Sequence, residues 1–149
     1  MNETFPILIA EDDNNDALIL QRALRTAGFR NPIHVSKDGA DALRYLKGEG
    51  PYHDREQYRF PVVLFTDLKM PNVDGFEVLH WLQVNPHCNV IPRLVMSASA
   101  ESQDVARAYQ LGANSYLVKP PTFEGLVENM RRVLDYWSMC RRPLLPPDC

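Results

Sequence analysis

The stretch Pro61-Val62-Val63-Leu64-Phe65-Thr66-Asp67-Leu68-Lys69-Met70-Pro71 constrains this chain more than any other. Its apolar and β-branched run suits a strand buried on both faces, the setting of a central strand in a parallel sheet. The strand runs straight into an acid, Asp67, and then into a turn closed by Pro71 and Asp74-Gly75. In an open α/β sheet the carboxyl ends of the strands are where sites are built. Asp67 is therefore either the cap of the next turn or a candidate nucleophile or metal ligand. The other strand ends decide between the two.

A second apolar run, 5–10, also ends in acids, Glu11-Asp12-Asp13. Asn14 or Asn15 then offers a helix cap, and Ala17, Leu20, Leu24 and Ala27 recur at helical spacing up to a stop at Gly28. A short strand over 32–35 leads to a helix capped by Asp38, with Ala42, Leu43 and Leu46 inward and Gly48 at its end. Residues 50–60 read as a polar and aromatic loop, long for a helix-to-strand connection. A helix over 74–84 turns Phe76, Leu79 and Leu82 inward, and a strand over 91–96 ends at Ser97-Ala98-Ser99. The next helix, 101–111, has a thin inner stripe of Val105, Ala108 and Tyr109. A strand over 115–118 ends at Lys119-Pro120-Pro121, and a last helix from Thr122 carries Phe123, Leu126, Met130, Val133 and Trp137 on one face. Five β-α repeats imply an α/β fold with a five-stranded parallel sheet, helices on both faces and right-handed crossovers.

The 149 residues suit one domain, 1–149, with a folded core of about 5–140 and a short proline-rich tail, 141–149. A net charge of -3 gives no electrostatic case for nucleic-acid binding. No apolar run is long enough to span a membrane and the first residues do not resemble a signal peptide, so a cytoplasmic location is expected. Cys88, Cys140 and Cys149 are odd in number and lack a Cys-x-x-Cys spacing. Neither zinc nor a disulfide is expected, and a reducing compartment fits. His34, His53, His80 and His87 have no ligand spacing and read as surface or packing residues.

A parallel sheet delivers every strand's carboxyl end to one edge. Here that edge receives Glu11 and Asp12, then Asp67, Ser97 and Lys119. Three carboxylates packed together repel one another, and a hard divalent cation with oxygen ligands relieves the repulsion, Mg²⁺ being the natural choice. Lys119 can pair with Asp67, or with phosphoryl oxygens carried on it, and the Ser97 hydroxyl can donate to one of them.

Laid out this way, the chain resembles the response-regulator receiver domains of two-component systems, the family of the chemotaxis regulator, from about Phe5 to Trp137. The resemblance is carried by Glu11-Asp12, Asp67-Leu68-Lys69-Met70-Pro71 with Asp74-Gly75, Ser97-Ala98, and Lys119-Pro120 preceded by Tyr116. The long 50–60 loop, Ala113-Asn114-Ser115-Tyr116 and Tyr136-Trp137 further resemble the single-domain regulators that serve phytochrome-type histidine kinases. The resemblance implies a flavodoxin-like (βα)5 fold with strand order 2-1-3-4-5. It implies that Asp67 is the phosphoacceptor, charged from a kinase phosphohistidine, and that Ser97 and Lys119 bind the phosphoryl group. Mg²⁺ would be held by Asp12, by Glu11 through water, by Asp67 and by the Lys69 backbone carbonyl. Ser97 and Tyr116 would form the switch, and the Lys119–Pro120 bond would be cis. The protein would then catalyse only its own phosphorylation and dephosphorylation. Signals would leave through a face made of helix 4, strand 5 and helix 5, where the apolar remainder of the last helix suggests a homodimer.

Glu11 stands where the family commonly has aspartate, which favours a water-mediated contact. Asp13 adds a third acid in a row and reads as a solvated helix-start residue. Two alternatives stay open: a haloacid-dehalogenase-like phosphatase, which needs an acid where Lys69 stands, and a receiver-like interaction module that is never phosphorylated.

Overall fold

The computed structural model describes residues 2–146 and Cys149. Five parallel strands, β1 (Ile7–Ala10), β2 (Ile33–Ser36), β3 (Val63–Thr66), β4 (Arg93–Ser97) and β5 (Ser115–Val118), form one sheet in the order β2-β1-β3-β4-β5. They alternate with α1 (Asn14–Ala27), α2 (Gly39–Lys47), α3 (Gly75–Val84), α4 (Ser102–Gln110) and α5 (Phe123–Met139). β1, β3 and β4 are buried along their whole length, as the central position of their apolar runs requires.

Alternation along the strands divides the core. Ile7, Ile9, Val63 and Phe65 pack with α1 and α5, while Leu8 and Leu64 pack with α2 and α3. A smaller cluster joins α3 and α4 through Leu68, Phe76, Leu79 and Ala108, with Tyr116 against it. Asp38, Asp74 and Thr122 each cap their helix by accepting a backbone N–H two or three residues into it.

The cap of α1 is Asp13, not Asn14 or Asn15: its carboxylate accepts the Asp16 N–H at 2.9 Å. The third acid in the row thus serves the helix start. Two residues of the expected inner stripes face outward, Tyr109 and Phe123, at 48% and 41% exposure. Helix α4 is only nine residues long and buries Ala108 alone, so its stripe is narrower than the apolar count suggests.

The 50–60 loop contains a 3₁₀ turn at Gly50–Tyr52 and is pinned by side chains. The Tyr52 hydroxyl donates to Asp41, and Arg55 donates to the Leu46 and Tyr58 carbonyls. His34 stacks on Tyr45 at 4.6 Å between ring centroids and meets Tyr52 edge-on, which makes it a packing residue.

The cysteine expectation fails. Cys88, in the α3–β4 connection, is disulfide-bonded to Cys149, with Cα atoms 5.8 Å apart, and Cys140 is free. Sequence spacing could not reveal the pair because the chain after α5 folds back beneath the sheet. Leu145 packs against both large core clusters, and Arg142 donates to the Val62 carbonyl at 2.6 Å. The inference of a reducing compartment loses its premise. No helix among the described residues is long and apolar enough to cross a membrane.

Candidate functional site

Register places the site. In the β1–β3 pair Ala10 lies opposite Thr66, and the Asp67 N–H donates to the Ala10 carbonyl, so Glu11 and Asp67 leave the sheet side by side. In the β4–β5 pair Ser97 lies opposite Val118, and the Lys119 N–H donates to the Ser97 carbonyl. The turn after β3 closes tightly on Asp67: a Cβ on Gly75 would stand 2.0 Å from the Asp67 carbonyl oxygen, so only glycine fits.

The carboxylate of Asp67 is held at both oxygens. Oδ1 accepts from the Leu68 N–H at 2.7 Å and Oδ2 from Lys119 Nζ at 2.8 Å. Lys119 also donates to Glu11 Oε1 at 2.7 Å and to Asp16 Oδ2 at 2.8 Å. An ammonium has three N–H bonds, so its donor capacity is filled by three carboxylates. Burial by itself would lower the Lys119 pKa, but the bonds to Asp16, Asp67 and Glu11 outweigh it and hold the ammonium above the usual lysine range. The same pair draws Asp16 below the usual carboxylate range.

Glu11 is 5% exposed, and its Oε2 has no hydrogen-bond partner among the described residues. Burial, reinforced by the neighbouring Asp67 and only partly opposed by Lys119, pushes its pKa up to about 8. One oxygen from each of Glu11, Asp12 and Asp67 lies within 4.8 Å of the others. An orphaned buried carboxylate oxygen beside two further acids fits a divalent cation with oxygen ligands. Lys69 is exposed in the turn that follows Asp67.

Ser97 lies at the same edge, 2% exposed, and its Oγ accepts the Ser99 N–H at 3.1 Å. The Tyr116 hydroxyl donates to the Ser99 carbonyl at 2.9 Å. Ser97 and Tyr116 are thereby tied to one segment of the β4–α4 loop. The Lys119–Pro120 peptide is trans, as is every peptide bond among the described residues. This corrects the expectation of a cis bond, trans being the intrinsically favoured isomer.

Glu11, Asp12, Asp67 and Lys119 therefore meet as the sequence predicts. Asp16 was not foreseen. Its position in the first turn of α1 has an ordinary explanation, an acid near the positive end of the helix dipole, which hides its contact with Lys119. Beside this cluster a cavity of about 430 Å³ opens between α1 and the β5–α5 loop, lined by Asp67 and Lys119 at one end and by Ile19, Leu20 and Phe123 further along.

The model of the response regulator receiver domain matches residues 7–131. A probable methanogenesis regulatory protein, FilR2 of Methanothrix harundinacea, is 36% identical over 135 residues, covering 91% of this chain and 84% of the relative. The crystal structure of the phosphorylated cyanobacterial phytochrome response regulator RcpA superposes with a TM-score of 0.85 at 28% identity, over 95% of this chain and 99% of that one. The Mn²⁺-bound form of response regulator Rcp1 superposes with a TM-score of 0.82 at 29% identity, over 94% of this chain and 99% of that one.

Proposed function

The chain belongs to the response regulator receiver domain family, and from that premise we propose that Asp67 accepts a phosphoryl group from a histidine kinase in a Mg²⁺-dependent reaction. One observation carries the reading: Asp67 stands at the end of the central strand, bonded to Lys119 and grouped with Glu11 and Asp12. A carboxylate oxygen of Asp67 attacks phosphorus, the phosphorus–nitrogen bond of the phosphohistidine breaks, and its electron pair stays on the imidazole. Such a transfer asks the protein mainly to position the reactants and to neutralise the equatorial oxygens. Asp12, Asp67, the Lys69 backbone carbonyl and, through water, Glu11 would hold Mg²⁺, which would supply part of that neutralisation. Lys119 supplies the rest, and Ser97 donates its hydroxyl proton to a phosphoryl oxygen.

When Ser97 turns toward the phosphoryl group, its Oγ leaves the Ser99 N–H, and the Ser99 carbonyl that Tyr116 holds shifts with it. That couples the site to α4 and β5. The exposed apolar side chains Tyr109, Val118, Tyr136 and Met139 on α4, β5 and α5 support an output surface there, used by a second copy of the chain. The likeness to a phytochrome response regulator supports a phytochrome-type kinase as the partner. A haloacid-dehalogenase-type phosphatase is disfavoured, because an exposed lysine stands where its general acid is required. The residues 1–149 act as one receiver domain.

The reading is tested by incubating the protein with a small acyl phosphate and Mg²⁺ and measuring intact mass. One phosphoryl group is expected, absent without metal and absent in Asp67→Asn. Addition at another residue, or none, removes the proposal.

A further inference from the structure

Resting on the phosphoacceptor reading, we infer that Asp16 is a positioning residue that competes with the phosphoryl group for Lys119 and so restrains phosphorylation of Asp67. The observation is the saturated ammonium: Nζ is bonded to Glu11, Asp16 and Asp67 at 2.7, 2.8 and 2.8 Å, and it has no fourth N–H to offer. A phosphoryl group on Asp67 brings new acceptor oxygens, so one of the three partners must yield. Glu11 and Asp67 belong to the acidic cluster suited to the cation, whereas Asp16 does not. Asp16 is thus the partner whose bond to Lys119 stands in direct competition with the incoming group once the metal is in place.

Its placement makes that competition effective. The Asp16 N–H is bound by the Asp13 cap, which fixes the first turn of α1. The Asp16 side chain lines the same cavity as Asp67 and Lys119. Its negative charge sits one hydrogen bond from the ammonium that must meet an anionic donor. Two consequences of opposite sign follow. Neutralising Asp16 frees Lys119 for the phosphoryl oxygens and lessens repulsion of the donor, which speeds transfer. It also leaves Lys119 less neutralised beside the acidic cluster, which repels a cation. At this partly buried site, with Asp16 on its more exposed side, a charge at this range changes a rate or binding constant by about three- to tenfold.

The Asp16 side chain is 44% exposed, so substitution there leaves the core intact. Asp16→Asn keeps an oxygen acceptor and removes the charge, and Asp16→Glu keeps the charge on a longer stem. The rate of acyl-phosphate-driven phosphorylation is measured at saturating Mg²⁺, and Mg²⁺ affinity separately by calorimetry on the unphosphorylated protein. In Asp16→Asn the rate is expected to rise about three- to tenfold while Mg²⁺ binding weakens by about threefold, both returning toward wild type in Asp16→Glu. A general loss of structure would lower both. A rate that is unchanged or slower in Asp16→Asn, or an Mg²⁺ affinity that does not fall, overturns the inference while wild-type labelling of Asp67 leaves the underlying reading standing. Wild-type protein that takes up no phosphoryl group removes both.

Discussion

The most exacting prediction concerns the proton on Glu11. With only protein groups around it, burial pushes this carboxyl up to about 8. At pH 7 it therefore holds its proton in most molecules, and a metal that uses it must displace that proton. As pH rises from about 6 the Mg²⁺ association constant should increase by nearly tenfold per unit, or about 1.4 kcal/mol, then less steeply on approaching pH 8, and level off above it. Calorimetry in two buffers of different ionisation enthalpy should report net proton release on Mg²⁺ binding at pH 7, falling off above about pH 8. The sign for stability is the reverse. A folded-state pKa above the ordinary 4.5 makes the Glu11 contribution complete below pH 4.5, and it is lost as pH rises through about 8. Without Mg²⁺, stability from this group should fall by up to about 1.4 kcal/mol per unit across that window, as read from urea midpoints. Glu11→Gln preserves the side-chain shape, removes the titration and should abolish both slopes while weakening Mg²⁺ binding. A metal affinity that is flat across the window, with no proton released, would refute the argument that burial governs this carboxyl.

Two further outcomes are expected. The Cys88–Cys149 bond closes a sequence separation of 61 residues, for which chain entropy gives at most about 4 kcal/mol; Cys149→Ser should approach that loss in urea unfolding, and equal stability of the variant and the oxidised wild type would sink the claim. Light scattering should show a larger dimer fraction after phosphorylation than before, diminished by Tyr136→Ser on the exposed side of α5, and a monomer in both states at high concentration would remove the proposed self-association.

The fold was legible because its signals are local and repeated. The central strands are short apolar runs, and Gly28 and Gly48 stop their helices in the left-handed conformation that a glycine accepts readily. The sheet edge was legible for a related reason: parallel pairing leaves each strand-end residue only one place to go. Asp67, Glu11, Asp12, Ser97 and Lys119 could therefore be collected without knowing a single distance. Tyr109 and Phe123 were misplaced because helical spacing gives a face but not the width of what covers it. The disulfide was hidden for a different reason, since its partners depend on where the chain goes after α5, and no periodic pattern encodes that path.

Asp16 marks the limit of such reading most clearly. Its residue type and position are fully accounted for by the start of α1, so the sequence offers no surplus to explain. Its role comes from a lysine more than a hundred residues later, through a contact of 2.8 Å. That contact changes what the other acids mean. Counted from strand ends alone, Lys119 looks like a cation waiting for a phosphoryl group beside three carboxylates that need a metal. Counted with Asp16, the ammonium is already saturated, and an incoming phosphoryl group must compete with Asp16 for its N–H donors. Glu11 and Asp67 belong to the acidic cluster that would hold the cation and Asp16 does not, which is why the proposed competition for Lys119 falls on Asp16. On the proposed reading, the phosphorylation rate is set in part by a half-exposed residue on α1, apart from the residues that would hold metal and phosphoryl group.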